Sequence, residues 1–115
     1  MQMYNLNYFR EKLINICEEF VTDDEICYTD WIDTSNCTMY TFFIQNIGFR
    51  PAYARAQVSP DKISIINDPD IAEIAPCETR AIVTQKYGFY TRIAFKSLNL
   101  LNKTNLKIIF QAQFR

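Results

Sequence analysis

The stretch LKIIFQAQF, residues 106–114, decides the fold class because its side chains alternate in character. The apolar positions are Leu106, Ile108, Phe110, Ala112 and Phe114. The positions between them are polar, with Ile109 as the exception. A period of two is that of a β-strand with one face on a core and the other in solvent. The sequence therefore predicts a half-buried strand at the end of the chain.

The same period recurs from Cys37 onward, in short segments separated by turn residues such as Gly48, Pro51 and Pro60. The predicted strands are 38–45, 52–58, 62–65, 79–85 and 90–97. Short strands at short intervals are typical of antiparallel sandwiches. We therefore predict a mainly β fold, an antiparallel β-sandwich of jelly-roll or Ig-like type with about seven to eight strands, over residues 34–115.

The first third of the chain has a different period. Its apolar residues recur at alternating steps of three and four, at Leu6, Phe9, Leu13, Ile16 and Phe20. This spacing predicts an amphipathic helix over about residues 6–20, although 15–17 and 20–22 are also compatible with a strand. We expect residues 1–33 to form an extension whose apolar face docks on a partner surface, in the simplest case its own domain, with Trp31 as an anchor.

Composition excludes several classes of function. The chain has 115 residues, no histidine, two glycines and a formal net charge of -1. Imidazole catalysis and a Gly-rich phosphate loop are excluded, and so weak a charge does not favour nucleic acid as a partner. The start of the chain lacks the pattern of a signal peptide, and no apolar run is long enough for a membrane span. We expect no enzyme and no cofactor, and we expect the acidic residues, Asp68 among them, to lie in solvated turns.

The cysteines leave three interpretations open. They stand at Cys17, Cys27, Cys37 and Cys77, without the paired spacing of a zinc site. They are free thiols packed as small apolar groups, or partners in disulfides within or between chains, or a metal site of four thiolates, which is the least expected of the three. Cys77 follows Ala75 and Pro76 in a turn where glycine is common, which points to a partner for an exposed thiol.

Exposed aromatic residues suggest an alternative function. A module that binds glycan or protein could use the aromatic side chains of Tyr53, Tyr87, Phe89 and Tyr90.

The segments TFFIQNIGFRPAYARAQVSPD, IAPCETRAIVTQKYGFYTRIAFKS and LKIIFQAQF resemble a small Firmicutes β-sandwich family of unknown function. The likeness runs from Tyr40 to Phe114 and keeps the order and spacing of several motifs. Its pattern has Gly at the position of Cys77. The resemblance implies a β-sandwich, and the departure from its pattern at Cys77 implies a specific role for that thiol.

The segment from Cys17 to Trp31 resembles, more weakly, the N-terminal connector of pilus-like endospore appendage subunits. This likeness implies fibres of identical subunits at a spore surface or outside the cell, reached without a signal peptide, with other spore-surface proteins as further partners. It implies inter-subunit disulfides in which Cys17 and Cys27 are connector cysteines and Cys37 or Cys77 the acceptor. The alternative location is the cytoplasm, and the alternative function is that of an accessory module of a spore coat or phage tail that binds glycan or protein.

Overall fold

The computed structural model describes residues 12–98 and 102–114 of the chain. These residues form ten strands: β1 (Lys12–Val21), β2 (Cys27–Tyr28), β3 (Ile32–Asp33), β4 (Cys37–Asn46), β5 (Ala52–Ser59), β6 (Ile66–Asn67), β7 (Ala72–Ile74), β8 (Thr79–Ile82), β9 (Tyr90–Ser97) and β10 (Asn105–Phe114). The mainly β prediction is confirmed. Within the described ranges there is no helix with the length and apolarity to cross a bilayer.

The strands form two antiparallel sheets. Sheet A has four strands in the order β1-β10-β4-β8, so β1 and β8 are its edges. Sheet B has six strands: β9 and β5 lie at its centre, β2 and β3 pair with β9, and β6 and β7 pair with β5. Every pairing is antiparallel, as the sequence predicts, whereas the choice between a jelly-roll and an Ig-like connection stays a prediction.

The core lies between the two sheets and is built by the even-numbered residues of β4, β5 and β10. Sheet A contributes Phe42, Ile44, Leu106, Ile108 and Phe110, all at most 4% exposed. Sheet B contributes mainly small side chains of β5, which alternate with half-buried polar residues, and the larger Ile93 and Phe95 of β9. The rings of Phe42 and Phe110 pack in a tilted arrangement, with 4.9 Å between their centroids and 52° between their planes. The predicted alternation of residues 106–114 is therefore the alternation between the core and the outer face.

The helix predicted over residues 6–20 is wrong for the part that the structure describes. Residues 12–21 form β1, which pairs with β10 along its whole length from Lys12 opposite Phe114 to Val21 opposite Asn105. The steps of three and four were misleading because β1 is an edge strand, and exposed apolar residues on its outer face, such as Leu13, mimic a helical period. Residues 6–11 lie outside the described residues.

Two further predictions require correction. The strand predicted at 62–65 is a bend, and the extended segment is β6 instead. Asp68 does not lie in a solvated turn, because it is 0% exposed. Its Oδ1 accepts hydrogen bonds from the backbone N–H groups of Gln85 (2.9 Å) and Lys86 (3.2 Å). A buried carboxylate thereby joins the loop after β6 to the loop after β8.

Candidate functional site

The two edges of sheet A present, in an alternating pattern, backbone groups with which no other strand of the described residues pairs. The N–H of Asn46 donates to the carbonyl of Glu78 at 3.0 Å, and the N–H of Thr22 donates to the carbonyl of Thr104 at 2.8 Å. In an antiparallel ladder every second residue bonds inward and the residues between them bond outward. The outward groups are therefore those of Thr79 and Ala81 on β8, and those of the odd-numbered residues on β1.

Cys17 lies at the open edge formed by β1. Its side chain is exposed on the outer face of sheet A, in one row with Ile109, Phe43 and Ala81 of the three other strands. The two middle side chains of this row are half-buried and its ends are exposed. An apolar row therefore crosses the outer face and ends in a thiol at the sheet edge.

Cys77 lies at the opposite edge of the same sheet, in the turn that leads into β8. The turn is closed by two hydrogen bonds, from Glu78 N–H to the carbonyl of Ala75 (3.0 Å) and from Ala75 N–H to Glu78 Oε1 (2.8 Å). Cys77 has φ = 66° and is exposed. This is the left-handed region that glycine adopts without steric cost and other residues adopt with strain. The sequence-based expectation of a glycine-like position is thus matched by the backbone.

Cys27 and Cys37 are in different surroundings. Both are half-buried and pack against the core. Burial raises the pKa of the Cys37 thiol, and the negative charge of Asp33 adds to the effect. All four cysteines are free in the structure, and no group of three or more metal-ligating residues occurs within the described ranges.

The predicted docking face is divided by the strand conformation. Leu6 and Phe9 lie outside the described residues, and Leu13 is 73% exposed on the outer face. Ile16 and Phe20 point inward instead, and Phe20 packs on Phe95 of sheet B at 5.1 Å between ring centroids. Within β1, therefore, the structure does not bring the three side chains to one face.

Trp31 lies between β2 and β3, where it holds the edge of sheet B. The guanidinium of Arg92 stands 3.9 Å from the ring centre of Tyr28 and 4.2 Å from that of Trp31. Its Nε also donates to Gln57 Oε1 at 2.8 Å. Trp31 also lines an inter-sheet cavity of about 350 Å³ together with Phe20 of β1. Arg92 is the member of this cluster that sequence reasoning missed, because its aromatic partners are more than 60 residues away in sequence.

The four predicted ligand aromatics do not form one platform. The rings of Tyr87 and Phe89, in the loop before β9, pack edge to face with 6.5 Å between their centroids. The Tyr87 hydroxyl donates to the carbonyl of Ser35 at 2.8 Å. Tyr90 is covered by the ammonium of Lys62 at 4.8 Å. Tyr53 lies elsewhere, on the outer face of sheet B, where it pairs in register with Lys96.

Solved structures with a similar fold include the following two. One is the crystal structure of PirA, with a TM-score of 0.63, 10% identity, and coverage of 82% of this chain and 92% of that chain. The other is a structure reported as "Bacillus endospore appendages form a novel family of disulfide-linked pili", with a TM-score of 0.59, 5% identity, and coverage of 92% of this chain and 90% of that chain. At these identities the likeness shows the fold alone.

The sequence itself identifies the family. No curated protein matches the chain. The sequence model described as "Domain of unknown function (DUF6385)" matches residues 33–114, which include β4 to β10. The match confirms the resemblance to a family of unknown function that the motifs between Tyr40 and Phe114 indicated, and the chain belongs to the DUF6385 family.

Proposed function

We propose that this protein is a non-enzymatic structural subunit that assembles with copies of itself into a pilus-like fibre at a spore surface or outside the cell. Adjacent subunits join edge to edge through sheet A and are cross-linked by disulfides. The likeness in fold to a subunit of disulfide-linked endospore pili supports this proposal. The observation that carries it is that the two exposed cysteines, Cys17 and Cys77, lie at opposite open edges of one sheet.

The register within sheet A defines how two copies would meet. Cys17 lies level with Ala81 across the sheet, whereas Cys77 precedes Ala81 by four residues. If β1 of a second copy continued the sheet beyond β8 without a shift, its Cys17 would lie beside Ala81. A shift of four residues, about 14 Å at 3.4 Å per residue, places it beside Cys77 instead. We infer this shifted register.

The shift is compatible with hydrogen bonding between the subunits. Because four is even, the outer face of one sheet continues as the outer face of the next. The outward groups of Thr79 and Ala81 then face those of Asn15 and Leu13 in the second copy, which are also outward residues. Leu13, which is 73% exposed, would lie beside Ala81 and lose part of its contact with water. Addition of a strand to an exposed edge is an established mode of association.

The covalent step follows from this contact. Two thiols, Cys77 of one copy and Cys17 of the next, form one S–S bond and lose two protons and two electrons to molecular oxygen or to oxidised glutathione. The N–H of Cys77 already donates to the carbonyl of Asn46 at 3.0 Å within sheet A, so Cys77 meets Cys17 through its side chain and not as a hydrogen-bonded pair of the ladder. Opposed residues of antiparallel strands have Cα atoms about 4.5–5.5 Å apart, within the range that a disulfide requires. Because the two edges of one subunit differ, the contact is head-to-tail and repeats without limit unless it closes into a ring.

A mixing experiment tests the pairing. In a Cys27→Ser/Cys37→Ser background, one variant also carries Cys17→Ser and keeps only Cys77, and the other carries Cys77→Ser and keeps only Cys17. Each is exposed to oxidised glutathione alone and then in an equimolar mixture. We expect monomers from each variant alone and a dimer from the mixture on a non-reducing gel, with the dimer lost in dithiothreitol.

The full chain provides the second readout. Electron microscopy of the oxidised protein should show fibres, and these should be absent from both single-cysteine variants. Homodimers of either variant at the level of the mixture, or no dimer in the mixture, would contradict the head-to-tail pairing. A monomeric full chain under oxidising conditions would contradict the assembly itself.

A further inference from the structure

A groove on the outer face of sheet B has no role in the proposed assembly. It has a volume of about 400 Å³, within the range of small-molecule sites. Its floor is Ala94, and its lining includes Tyr53, Arg55 and Lys96. Ile26 and Ile71, which are 55% and 57% exposed, complete the apolar lining. We call this site the Ala94 groove.

The groove exists because one short side chain stands among long ones. Ala94 points outward from β9 and lies in register between Arg55 of β5 and Tyr28 of β2. On β9 itself the neighbouring outward residues are Arg92 and Lys96, which are long as well. The methyl group of Ala94 therefore leaves a depression that the surrounding side chains enclose, and Ala94 is only 5% exposed at its bottom.

The charged groups of the groove are both cationic. The guanidinium of Arg55 donates to the backbone carbonyl of Asp68 through Nη2 (2.9 Å) and Nε (3.3 Å), which fixes its position. Lys96 forms no ion pair with a carboxylate in the described part of the chain, and no Asp or Glu lines the groove. Two cations beside an apolar floor form a polar anchor for an anion that carries an apolar body.

We propose that the Ala94 groove binds a small organic anion, namely a carboxylate with an aryl or short alkyl body. The carboxylate pairs with Lys96 and Arg55, and the apolar body lies on Ala94 between Ile26 and Ile71, with the Tyr53 ring alongside. A nucleic acid does not fit this site, because two cations on a protein of net charge -1 give no extended basic surface.

The test compares three probes of equal size, 3-phenylpropionate, 3-phenylpropanol and 3-phenylpropylamine, by NMR titration of isotope-labelled protein. The Cys17→Ser/Cys77→Ser protein is used so that assembly does not influence the result. We expect saturable shifts of the Ala94 and Lys96 amides with the carboxylate, at least about tenfold tighter binding than with the alcohol, and weaker binding in 0.5 M salt. The amine should bind most weakly.

Matched variants locate the site. Lys96→Met keeps the alkyl stem and removes the charge, so it should weaken carboxylate binding about tenfold and leave the alcohol unchanged. Lys107→Met, on the outer face of sheet A, is the control and should change neither. Ala94→Leu should fill the groove and abolish binding, and Lys96→Met remains decisive if that variant folds poorly. Equal affinity for acid and alcohol, or equal losses in the two lysine variants, would overturn the proposal and leave the fibre assembly unaffected.

Discussion

The two outer faces of the sandwich follow the same alternation but carry opposite kinds of side chain. On sheet A the outward residues of the strands are mostly apolar or uncharged, and the charged ones, Glu19 and Lys107, lie opposite each other in register. On sheet B the outward residues of the central strands include Arg55, Arg92 and Lys96. The faces share one core, so the difference is not needed for folding. In the proposed fibre the largely uncharged face of sheet A continues from one subunit to the next, whereas the charged face of sheet B is suited to contact with solvent and small organic anions.

Ala81→Pro should have the largest effect, because it changes the edge of sheet A through which the subunits are proposed to join. The N–H of Ala81 points to the open edge, so its loss costs no hydrogen bond within the sheet and we expect the unfolding free energy to change by less than about 1 kcal/mol. An added strand would lose that donor, leave its own carbonyl unsatisfied and meet the proline ring, an effect of about 2 kcal/mol or about 30-fold in association. Sedimentation velocity and chemical denaturation measure the two quantities.

Ala81→Ser is the matched control for this variant and should assemble like the natural sequence. If Ala81→Pro assembled at the same protein concentration as the natural sequence, the β8 edge would not be an interface. The proposed edge-to-edge contact of sheet A would then be wrong.

Arg92→Ala should have an intermediate effect, confined to stability. The variant loses both cation–π contacts, with Tyr28 and Trp31, and the hydrogen bond to Gln57, so we expect the unfolding free energy in urea to fall by about 1–2 kcal/mol. Lys107→Ala, on the other outer face, should stay within about 0.5 kcal/mol. Equal losses in the two variants would show that the contacts of Arg92 do not stabilise the outer face of sheet B.

The smallest effect concerns the inward-facing thiol of sheet A. Burial raises the pKa of Cys37, so at pH 8 a smaller fraction is thiolate, the form that reacts, than in the unfolded chain. In a variant that keeps only Cys37, iodoacetamide should react a few times more slowly with folded than with urea-unfolded protein. The ratio should approach one as the pH rises above the folded pKa. A ratio that does not change with pH would attribute the slow reaction to steric access instead.

The sequence was informative where a local pattern controls the structure. The alternation of residues 106–114 predicted β10 correctly, and the position of Cys77 after Ala75-Pro76 indicated a glycine-like backbone that φ = 66° matches. The sequence was misleading for β1, because the spacing of Leu13, Ile16 and Phe20 does not distinguish a helix from an edge strand with exposed apolar residues.

Contacts between distant segments were beyond sequence reasoning. Arg92 stacks on Tyr28 and Trp31, and the buried carboxylate of Asp68 reaches Gln85, only because the strand order brings these residues together. The Ala94 groove depends in the same way on Arg55 and Tyr28 flanking a residue of a third strand. Pattern analysis of one sequence gives periods and turns, whereas sheet order and register require the fold.

The four-residue step between Cys17 and Cys77 also sets a direction of growth. Four residues of displacement along the strands, over the width of a four-stranded sheet, equal one residue of stagger per strand. With about 3.4 Å per residue and 4.8 Å between strands, the line through successive subunits departs from the perpendicular to the strands by about 35°. An eight-stranded barrel with a shear of eight has the same ratio, and its strands tilt by about 36°. A chain of these subunits would therefore grow obliquely to its strands instead of straight across them.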